Sequence, residues 1–125
     1  MKRIISTTKA PAAIGPYSQA IEVNDTLYIS GQIPVNPENG KVDALTIEQQ
    51  AEQVLQNIGA ILQAAGYGYS DVVKSTIFIT DMKNFSAVNE VYKKYYTEKF
   101  PARSTVAVKE LPLGVMVEIE TIAVK

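Results

Sequence analysis

The chain has 125 residues, of which 46% are hydrophobic and 20% charged, and its formal net charge at pH 7 is −1. This is the size and composition of one globular domain over residues 1–125 that can bury a core without disulfides or metal. The sequence has neither histidine nor cysteine, which excludes Ser-His-Asp and Cys-His catalysis, thiol chemistry and the usual zinc sites. Any catalysis must use carboxylates, tyrosine, lysine, arginine, hydroxyls or backbone groups.

The charge balance disfavours nucleic acid as the main partner, because such partners usually need a basic stripe. The basic start, Met1–Ser6, lacks the apolar segment of a signal peptide, and no apolar run reaches the length of a membrane span. We therefore expect a cytoplasmic protein that has no membrane contact.

The N-terminal third predicts strands and loops. Asn24-Asp25 is a good two-residue hairpin turn between two runs of strand-forming residues. In chain order we expect a short strand over 2–6, a loop over 7–15, an extended segment over 16–23, a return strand over 26–30 that ends at Gly31, and a structured loop over 32–43.

A helix is predicted from Thr46 to Ala65. Thr46 and Gln49 fit a capping box, and Gly66 stands where a helix-terminating glycine belongs. Apolar residues recur at helical spacing, which predicts one buried face. These residues are Ile47, Ala51, Val54, Leu55, Ile58, Leu62 and Ala65.

The C-terminal half predicts a strand over 71–80, a helix over 84–96, and strands over 100–108 and 115–124. The strand over 71–80 is almost continuously apolar or β-branched, which predicts cover on both of its faces. The resulting order, hairpin, helix, strand, helix and two strands, predicts an α+β fold with two helices on one face of a mixed sheet.

The last strand leaves open which of its faces lies away from the helices. That face carries either Val117, Ile119, Thr121 and Ala123 or the alternate set Met116, Glu118, Glu120 and Ile122. Neither set is plainly solvent-facing. We therefore expect a homo-oligomer that buries sheet against sheet.

Arg103 and Glu118 are the first candidates for chemistry. If the last two strands pair as a hairpin, these residues are neighbours on one face with Thr105 between them. They then form either a structural ion pair of little energetic value, or a site in which arginine binds a substrate carboxylate and glutamate activates water. Glu120 shares the face of Glu118, and spacing alone does not separate the two.

Tyr17, Ser30, Gly31 and Asn89 are further candidates. Tyr17 ends the Pro-rich loop, and Ser30-Gly31 ends a strand, where a hydroxyl and backbone N–H groups can face a ligand. Asn89 lies at the margin of the apolar stripe of the second helix. Their structural alternatives are a packed aromatic ring, a strand terminator and an exposed helix residue.

Four motifs in order resemble those of the RidA/YjgF/UK114 family, the reactive-intermediate deaminases, and the resemblance covers essentially the whole chain. The motifs are Ala13-Ile14-Gly15-Pro16-Tyr17-Ser18-Gln19-Ala20, Ser30-Gly31-Gln32-Ile33-Pro34-Val35, Phe100-Pro101-Ala102-Arg103-Ser104 and Val117-Glu118-Ile119-Glu120-Thr121-Ile122-Ala123.

The resemblance implies a chorismate-mutase-like fold, with two helices on one face of a mixed six-stranded sheet. It implies a homotrimer with a central barrel of sheets and ligand clefts between subunits. The implied activity is hydrolysis of 2-iminobutanoate and 2-iminopropanoate to 2-keto acids and ammonia, without a cofactor. The runner-up is a non-catalytic protein that binds or senses a small carboxylate in the same cleft, and a weaker third is action on RNA.

The resemblance also assigns roles to the candidates. Arg103 matches the arginine that binds the substrate carboxylate, and Glu118 matches the glutamate that positions or activates water, which leaves Glu120 structural. The substrate-binding positions are Tyr17, Ser30, Gly31, Asn89, Arg103 and Thr105. Many members have cysteine where this chain has Thr105, and the segment 96–100 is shorter than in some relatives, so we expect changes at the cleft rim. We expect Arg103 and Glu118 at the edge of one subunit, with a neighbour closing the pocket.

Overall fold

In the computed structural model, which describes residues 1–125, two helices pack on one face of a six-stranded mixed sheet. The α+β class and the arrangement expected from the sequence are confirmed. The elements are β1 (Arg3–Ile5), β2 (Ala20–Val23), β3 (Thr26–Gln32), α1 (Ile47–Ala65), β4 (Val72–Ile79), α2 (Phe85–Tyr92), β5 (Ala102–Ala107) and β6 (Val117–Val124). None of the helices combines the length and the apolar character of a membrane span.

Helix α1 begins and ends as its sequence predicts. The Thr46 hydroxyl accepts a hydrogen bond from the Gln49 backbone N–H, and the Gln49 side-chain oxygen accepts one from the Thr46 backbone N–H. Gly66 adopts a left-handed conformation with φ 85°, and Tyr67 N–H then bonds to the Leu62 carbonyl, which closes the helix. The β2–β3 turn at Asn24-Asp25 has positive φ at both residues, as a tight hairpin turn requires.

The strand order is β1-β2-β3-β6-β4-β5. Strands β4 and β5 are parallel neighbours, connected through α2, and β6 lies antiparallel between β3 and β4. The predicted hairpin of the last two strands is therefore wrong. Strand β5 lies at the edge of the sheet, and β4 separates it from β6.

The core lies between the helices and one face of the sheet. Alternate residues of β6 are buried there, namely Val117, Ile119, Thr121 and Ala123. This settles the open choice of faces, because Glu118, Glu120 and Ile122 point to the side without helices. That open face also carries Thr76 and Phe78 of β4, both only partly buried, so a single chain does not cover both faces of β4.

Two boundaries differ from the expected ones. Strand β3 continues through Gly31 to Gln32, with a register shift between Ile29 and Gln32 where it pairs with β6. Helix α2 ends at Tyr92 rather than Tyr96. Tyr96 is nevertheless buried because its ring packs on those of Tyr92 and Tyr69, so its apolar character reflects core packing rather than helix.

Candidate active site

Arg103 lies on the edge strand β5 with its side chain directed to α2. Its Nη1 donates a hydrogen bond of 2.8 Å to Asn89 Oδ1. Its guanidinium carbon lies 5.1 Å from the centre of the Tyr92 ring and 5.7 Å from that of Phe85, within the range of cation–π attraction. These side chains border an open cavity of about 380 Å³, lined by Asn89, Tyr92, Lys93, Phe100, Pro101 and Arg103.

The β4–α2–β5 connection explains how Arg103 meets these partners. A parallel pair of strands needs a crossover, and the crossover helix packs back on the sheet beside them. The Asp81 side chain accepts a hydrogen bond from Lys83 N–H and so shapes the turn that leads into α2. Asn89, Phe85 and Tyr92 thereby face the start of β5.

Glu118 lies on the open face of the sheet and is half-buried. Burial raises the pKa of its carboxyl above the ordinary value of 4.5, and the neighbouring Glu120 carboxylate raises this pKa further. The carboxylate of Glu118 forms no hydrogen bond or ion pair with another residue of the chain. A carboxylate with a raised pKa and no partner is well suited to accept a proton from water.

Gly31 lies beside this carboxylate. A Cβ atom placed on Gly31 would be 2.6 Å from Glu118 Oε2 and 2.9 Å from its carboxyl carbon. Only glycine therefore leaves room for Glu118 in its present position. The neighbouring Ser30 hydroxyl donates a 2.6 Å hydrogen bond to the Ser18 carbonyl, so its proton is used to hold two segments of the chain together.

Tyr17 is about half exposed, on the loop that precedes β2. Gln19 fixes this loop: its buried side chain donates to the carbonyls of Thr7, Ala10 and Pro11 and accepts from Thr7 N–H. A second cavity of about 410 Å³, lined in part by Ile14, Tyr17, Gly31 and Leu113, lies along this loop.

The candidate residues thus form two separate groups in one chain. Arg103 pairs with Ser75 of β4, a residue of the helix-covered face, whereas Glu118 pairs with Phe78 on the open face. Two strand spacings sideways and three residues along β4 separate the two Cα atoms by roughly 14 Å. Arg103 and Asn89 form one group and Tyr17, Gly31 and Glu118 the other, so the expected contact between Arg103 and Glu118 on one face of a hairpin does not exist.

Thr105 follows Arg103 by two residues and so faces the same side of β5. Its Oγ1 is buried and has no hydrogen-bond partner. It does not lie between Arg103 and Glu118, because β6 runs on the far side of β4.

Reasoning from the sequence missed three residues that shape these groups. Gln19, Phe85 and Tyr92 are not among the site residues that the sequence predicts. A glutamine inside an Ala- and Pro-rich segment is a signal for an anchor of backbone groups. The proximity of Tyr92 to Arg103 depends on the parallel pairing of β4 with β5, and no local pattern shows that pairing.

The structure contains no cluster of three or more acidic residues that could hold a metal ion. The candidate residues supply five kinds of polar side-chain group, namely the guanidinium of Arg103, the amide of Asn89, the phenol of Tyr17, the hydroxyl of Thr105 and the carboxylate of Glu118. This set can bind a small carboxylate through Arg103 and can position water through Glu118.

Fold and site together define a class of small α+β protein with an edge arginine and a separate, half-buried glutamate. The chain belongs to the family described as Endoribonuclease L-PSP, the YjgF/RidA family, which matches residues 7–125.

Individual relatives are similar over their whole length. A Capra hircus protein named 2-iminobutanoate/2-iminopropanoate deaminase is 53% identical over 125 residues, which are all of this chain and 91% of that protein. A Rid family structure from Yersinia pestis has 53% identity and a TM-score of 0.98, with full coverage of both chains. The structure of Escherichia coli TdcF with bound serine has 45% identity and a TM-score of 0.94, with 98% of each chain covered.

Proposed function

We propose that this protein is a hydrolytic deaminase that converts 2-iminobutanoate and 2-iminopropanoate to 2-keto acids and ammonia. The observation that carries the proposal is the exposed Arg103 guanidinium, which lies at a cavity and bonds to the chain only through Nη1. Its Nε and Nη2 groups are free to bind a substrate carboxylate in bidentate fashion. The names of the full-length relatives support the same activity.

The proposed chemistry needs one carboxylate clamp and one weak base. Water adds to the electrophilic carbon of the protonated imine while Glu118 takes a proton from that water, which gives a carbinolamine. Glu118 then returns the proton to nitrogen and the C–N bond breaks to release ammonia. Glu118 takes the hydroxyl proton as the hydroxyl becomes the keto group, and passes that proton to the ammonia, which leaves as ammonium. The sum is iminium plus water giving keto acid plus ammonium. Arg103 contributes by fixing the substrate carboxylate.

The complete site requires a second copy of the chain. Arg103 and Glu118 lie on opposite faces of one sheet, roughly 14 Å apart, which is too far to act on one small imino acid. We therefore place Arg103, Asn89 and Thr105 of one subunit opposite Tyr17, Gly31 and Glu118 of its neighbour, in a homotrimer.

Two features support this assembly. The first is that β5, which carries Arg103, is an edge strand with no partner on its outer side. The second is that exposed apolar side chains lie near both groups of residues. These are Phe100 at the cavity beside Arg103, and Ile14, Tyr17 and Leu113 along the cavity next to Gly31. Sheet-against-sheet contact would also cover Phe78 and Ile122 on the open face. Sedimentation of the purified protein tests the assembly, and a stable monomer contradicts it.

A coupled assay tests the activity. A threonine dehydratase generates 2-iminobutanoate, and the protein is expected to accelerate release of 2-ketobutyrate and ammonia. Arg103→Ala and Glu118→Gln are each expected to abolish the acceleration while the variants stay folded. Arg3→Ala is the matched control, because Arg3 is the only other arginine and bonds to Glu22, away from both groups. Full acceleration by folded Arg103→Ala contradicts the proposal.

A second candidate is binding of a small carboxylate without catalysis. The specific observation in its favour is the relative with bound serine, a carboxylate ligand that is not an imine. The two functions differ in their need for Glu118. If 2-ketobutyrate binds in a titration but the protein leaves the rate of imine breakdown unchanged, the protein is a binding protein. If Glu118→Gln still binds 2-ketobutyrate but no longer accelerates imine breakdown, the protein is a deaminase.

RNA cleavage is the weakest candidate, although the family description names an endoribonuclease. The chain is slightly acidic and has no histidine, and the proposed site offers a single arginine to a phosphate backbone. RNA cleavage that survives both rigorous purification and Arg103→Ala would revive this reading.

A further inference from the structure

The guanidinium of Arg103 is supported by an aromatic surface of α2. Its carbon lies 5.1 Å from the centre of the Tyr92 ring and 5.7 Å from the centre of the Phe85 ring, and Nη1 donates to Asn89. Arginine is a long, flexible side chain, and on an exposed edge strand it loses rotamer entropy when a ligand binds. A ring beneath the guanidinium and an acceptor in its plane together restrict it before the ligand arrives.

Tyr92 is itself held in place from below. Its hydroxyl donates a buried 2.9 Å hydrogen bond to Ser75 Oγ, and its ring packs against the Tyr96 ring with centroids 4.4 Å apart. Burial raises the pKa of Tyr92 above its ordinary value, so the phenol stays protonated and remains a donor at neutral pH. Both Tyr92 and Ser75 are buried.

Ser75 connects this arrangement back to Arg103. It is the direct partner of Arg103 in the parallel pairing of β4 with β5. Arg103, Tyr92 and Ser75 therefore form a closed path in which backbone pairing fixes Ser75, Ser75 fixes the Tyr92 hydroxyl, and the Tyr92 ring supports Arg103. A buried serine and a buried tyrosine hydroxyl are costly unless they bond to each other, and core packing alone would be served by alanine and phenylalanine.

We propose that Tyr92 is a positioning residue, whose ring, tethered through its hydroxyl to Ser75, holds the Arg103 guanidinium with Nε and Nη2 directed to the substrate carboxylate. Tyr92 acts only through Arg103 and has no contact with the reacting atoms. The inference rests on the proposed function, in which Arg103 binds that carboxylate.

A double-mutant cycle tests the route through Arg103. In the full-length protein, Tyr92→Leu is expected to weaken binding of 2-ketobutyrate and to raise KM about tenfold, with a smaller change in kcat. In the Arg103→Ala background the same substitution is expected to change 2-ketobutyrate binding no further, because the group on which it acts is absent. An equal fold-change in both backgrounds overturns the proposal.

The tether is tested by removing single hydroxyls. Tyr92→Phe and Ser75→Ala are each expected to raise KM by a few-fold, and the double variant no more than the single ones, since either change breaks the same hydrogen bond. Tyr67→Phe is the matched control, because it removes another tyrosine hydroxyl, one that donates a 2.5 Å hydrogen bond to Glu22. This variant is expected to leave KM unchanged. If Tyr92→Phe and Ser75→Ala both have the wild-type KM, the hydrogen bond between Tyr92 and Ser75 does not help to position Arg103, and this part of the proposal is wrong.

A ligand-free measurement separates this inference from the proposed function. Arg3 and Arg103 are the only arginines, so the guanidinium Nε–H region of an NMR spectrum contains two signals. The Arg103 signal is expected to carry a ring-current shift that Tyr92→Phe retains and Tyr92→Leu reduces. An unchanged signal in Tyr92→Leu overturns the inference even if the protein is a deaminase. A protein that shows the shift and the binding cycle but does not accelerate imine breakdown contradicts the deaminase proposal and leaves the role of Tyr92 supported.

Discussion

Gly31 lies directly against the carboxylate of Glu118, so closely that a Cβ on residue 31 would stand 2.6 Å from Glu118 Oε2. The two residues belong to neighbouring strands, β3 and β6, at the point where their register shifts. The irregularity at this point redirects β3 beside the Glu118 carboxylate, and such irregularities commonly re-aim a side chain or end strand pairing. The shape of β3 therefore determines where Glu118 can be.

Gly31→Ala is expected to displace Glu118 and to lower kcat by about 100-fold, since a misplacement of about 1 Å in a catalytic group has effects of this size. The backbone of Gly31 does not have positive φ, so alanine is tolerated there and the thermal midpoint should change little. Steady-state kinetics in the coupled assay and thermal unfolding provide the two measurements.

Gly68→Ala is the control for this change. Gly68 also lacks positive φ, and a Cβ there would meet only Ser70 Oγ at 3.9 Å. This variant should retain both kcat and stability. A fully active Gly31→Ala enzyme would show that Glu118 does not need its observed position.

The acid limb of the pH–rate profile is expected to report the ionisation of Glu118. As a base, Glu118 must be ionised, and its pKa is raised above 4.5 first by burial and second by Glu120. Glu120→Gln removes the second cause, so the pKa of Glu118 falls and the acid limb of kcat/KM moves to lower pH. Exposed Glu110 provides the control, because Glu110→Gln should leave the limb in place. A limb that moves to higher pH in Glu120→Gln contradicts the assignment of Glu118 as the base.

The local elements were predictable because their signals are local. The capping box of Thr46 and Gln49 and the glycine at 66 define α1 to within one residue, and Asn24-Asp25 specifies its turn. Strand pairing was not predictable in the same way. Whether β6 pairs with β5 or inserts between β3 and β4 depends on contacts between residues far apart in the chain, so the expected hairpin was wrong.

This error determined how much of the site could be foreseen. Arg103 and Glu118 are recognisable from the sequence because they are charged residues in predicted strands, and Gly31 because it stands at the predicted end of a strand. Their grouping requires the sheet order, which places Arg103 with Asn89 and Glu118 with Gly31 on opposite faces. The roles of these residues, the homotrimer and the cytoplasmic location stay predictions.

Gly59 lies in the interior of α1, where glycine is unfavourable by about 1 kcal/mol relative to alanine. Tyr69 explains why residue 59 is glycine. Its hydroxyl donates a 2.6 Å hydrogen bond to the Leu55 carbonyl and would lie 2.1 Å from a Cβ on residue 59. Gly59→Ala is therefore expected to reduce the free energy of unfolding by about 1–3 kcal/mol, as overpacking does. Urea unfolding measures the change.

Removing the obstructing hydroxyl tests this cause. In a Tyr69→Phe background, Gly59→Ala should be less destabilising than in the wild type, because the atom at 2.1 Å is gone. Gln63→Ala, at an exposed position of the same helix, controls for the introduction of alanine. Equal losses in both backgrounds would mean that the Tyr69 hydroxyl is not what excludes a side chain at Gly59.

Five buried or partly buried tyrosines should make alkaline unfolding steep. Burial is the largest cause of a raised pKa at each of them, and it raises the pKa of Tyr67 and of Tyr69 to about 12. The others are Tyr92, Tyr95 and Tyr96. A raised folded-state pKa means that the stabilisation is fully present below pH 10 and is lost as pH rises through the folded-state values.

Absorbance of tyrosinate and circular dichroism, followed together above pH 10, measure this linkage. Most of the tyrosinate signal should appear in the same narrow pH interval as the loss of secondary structure. Tyr67→Phe should lose less of its free energy of unfolding between pH 8 and pH 12 than the wild type does, because it has one ionisable tyrosine fewer. The hydroxyl of Tyr67 also donates to Glu22, so the variant is expected to be less stable at pH 8 while losing less on the way to pH 12. Ionisation of all the tyrosines well before unfolding would contradict their burial in the core.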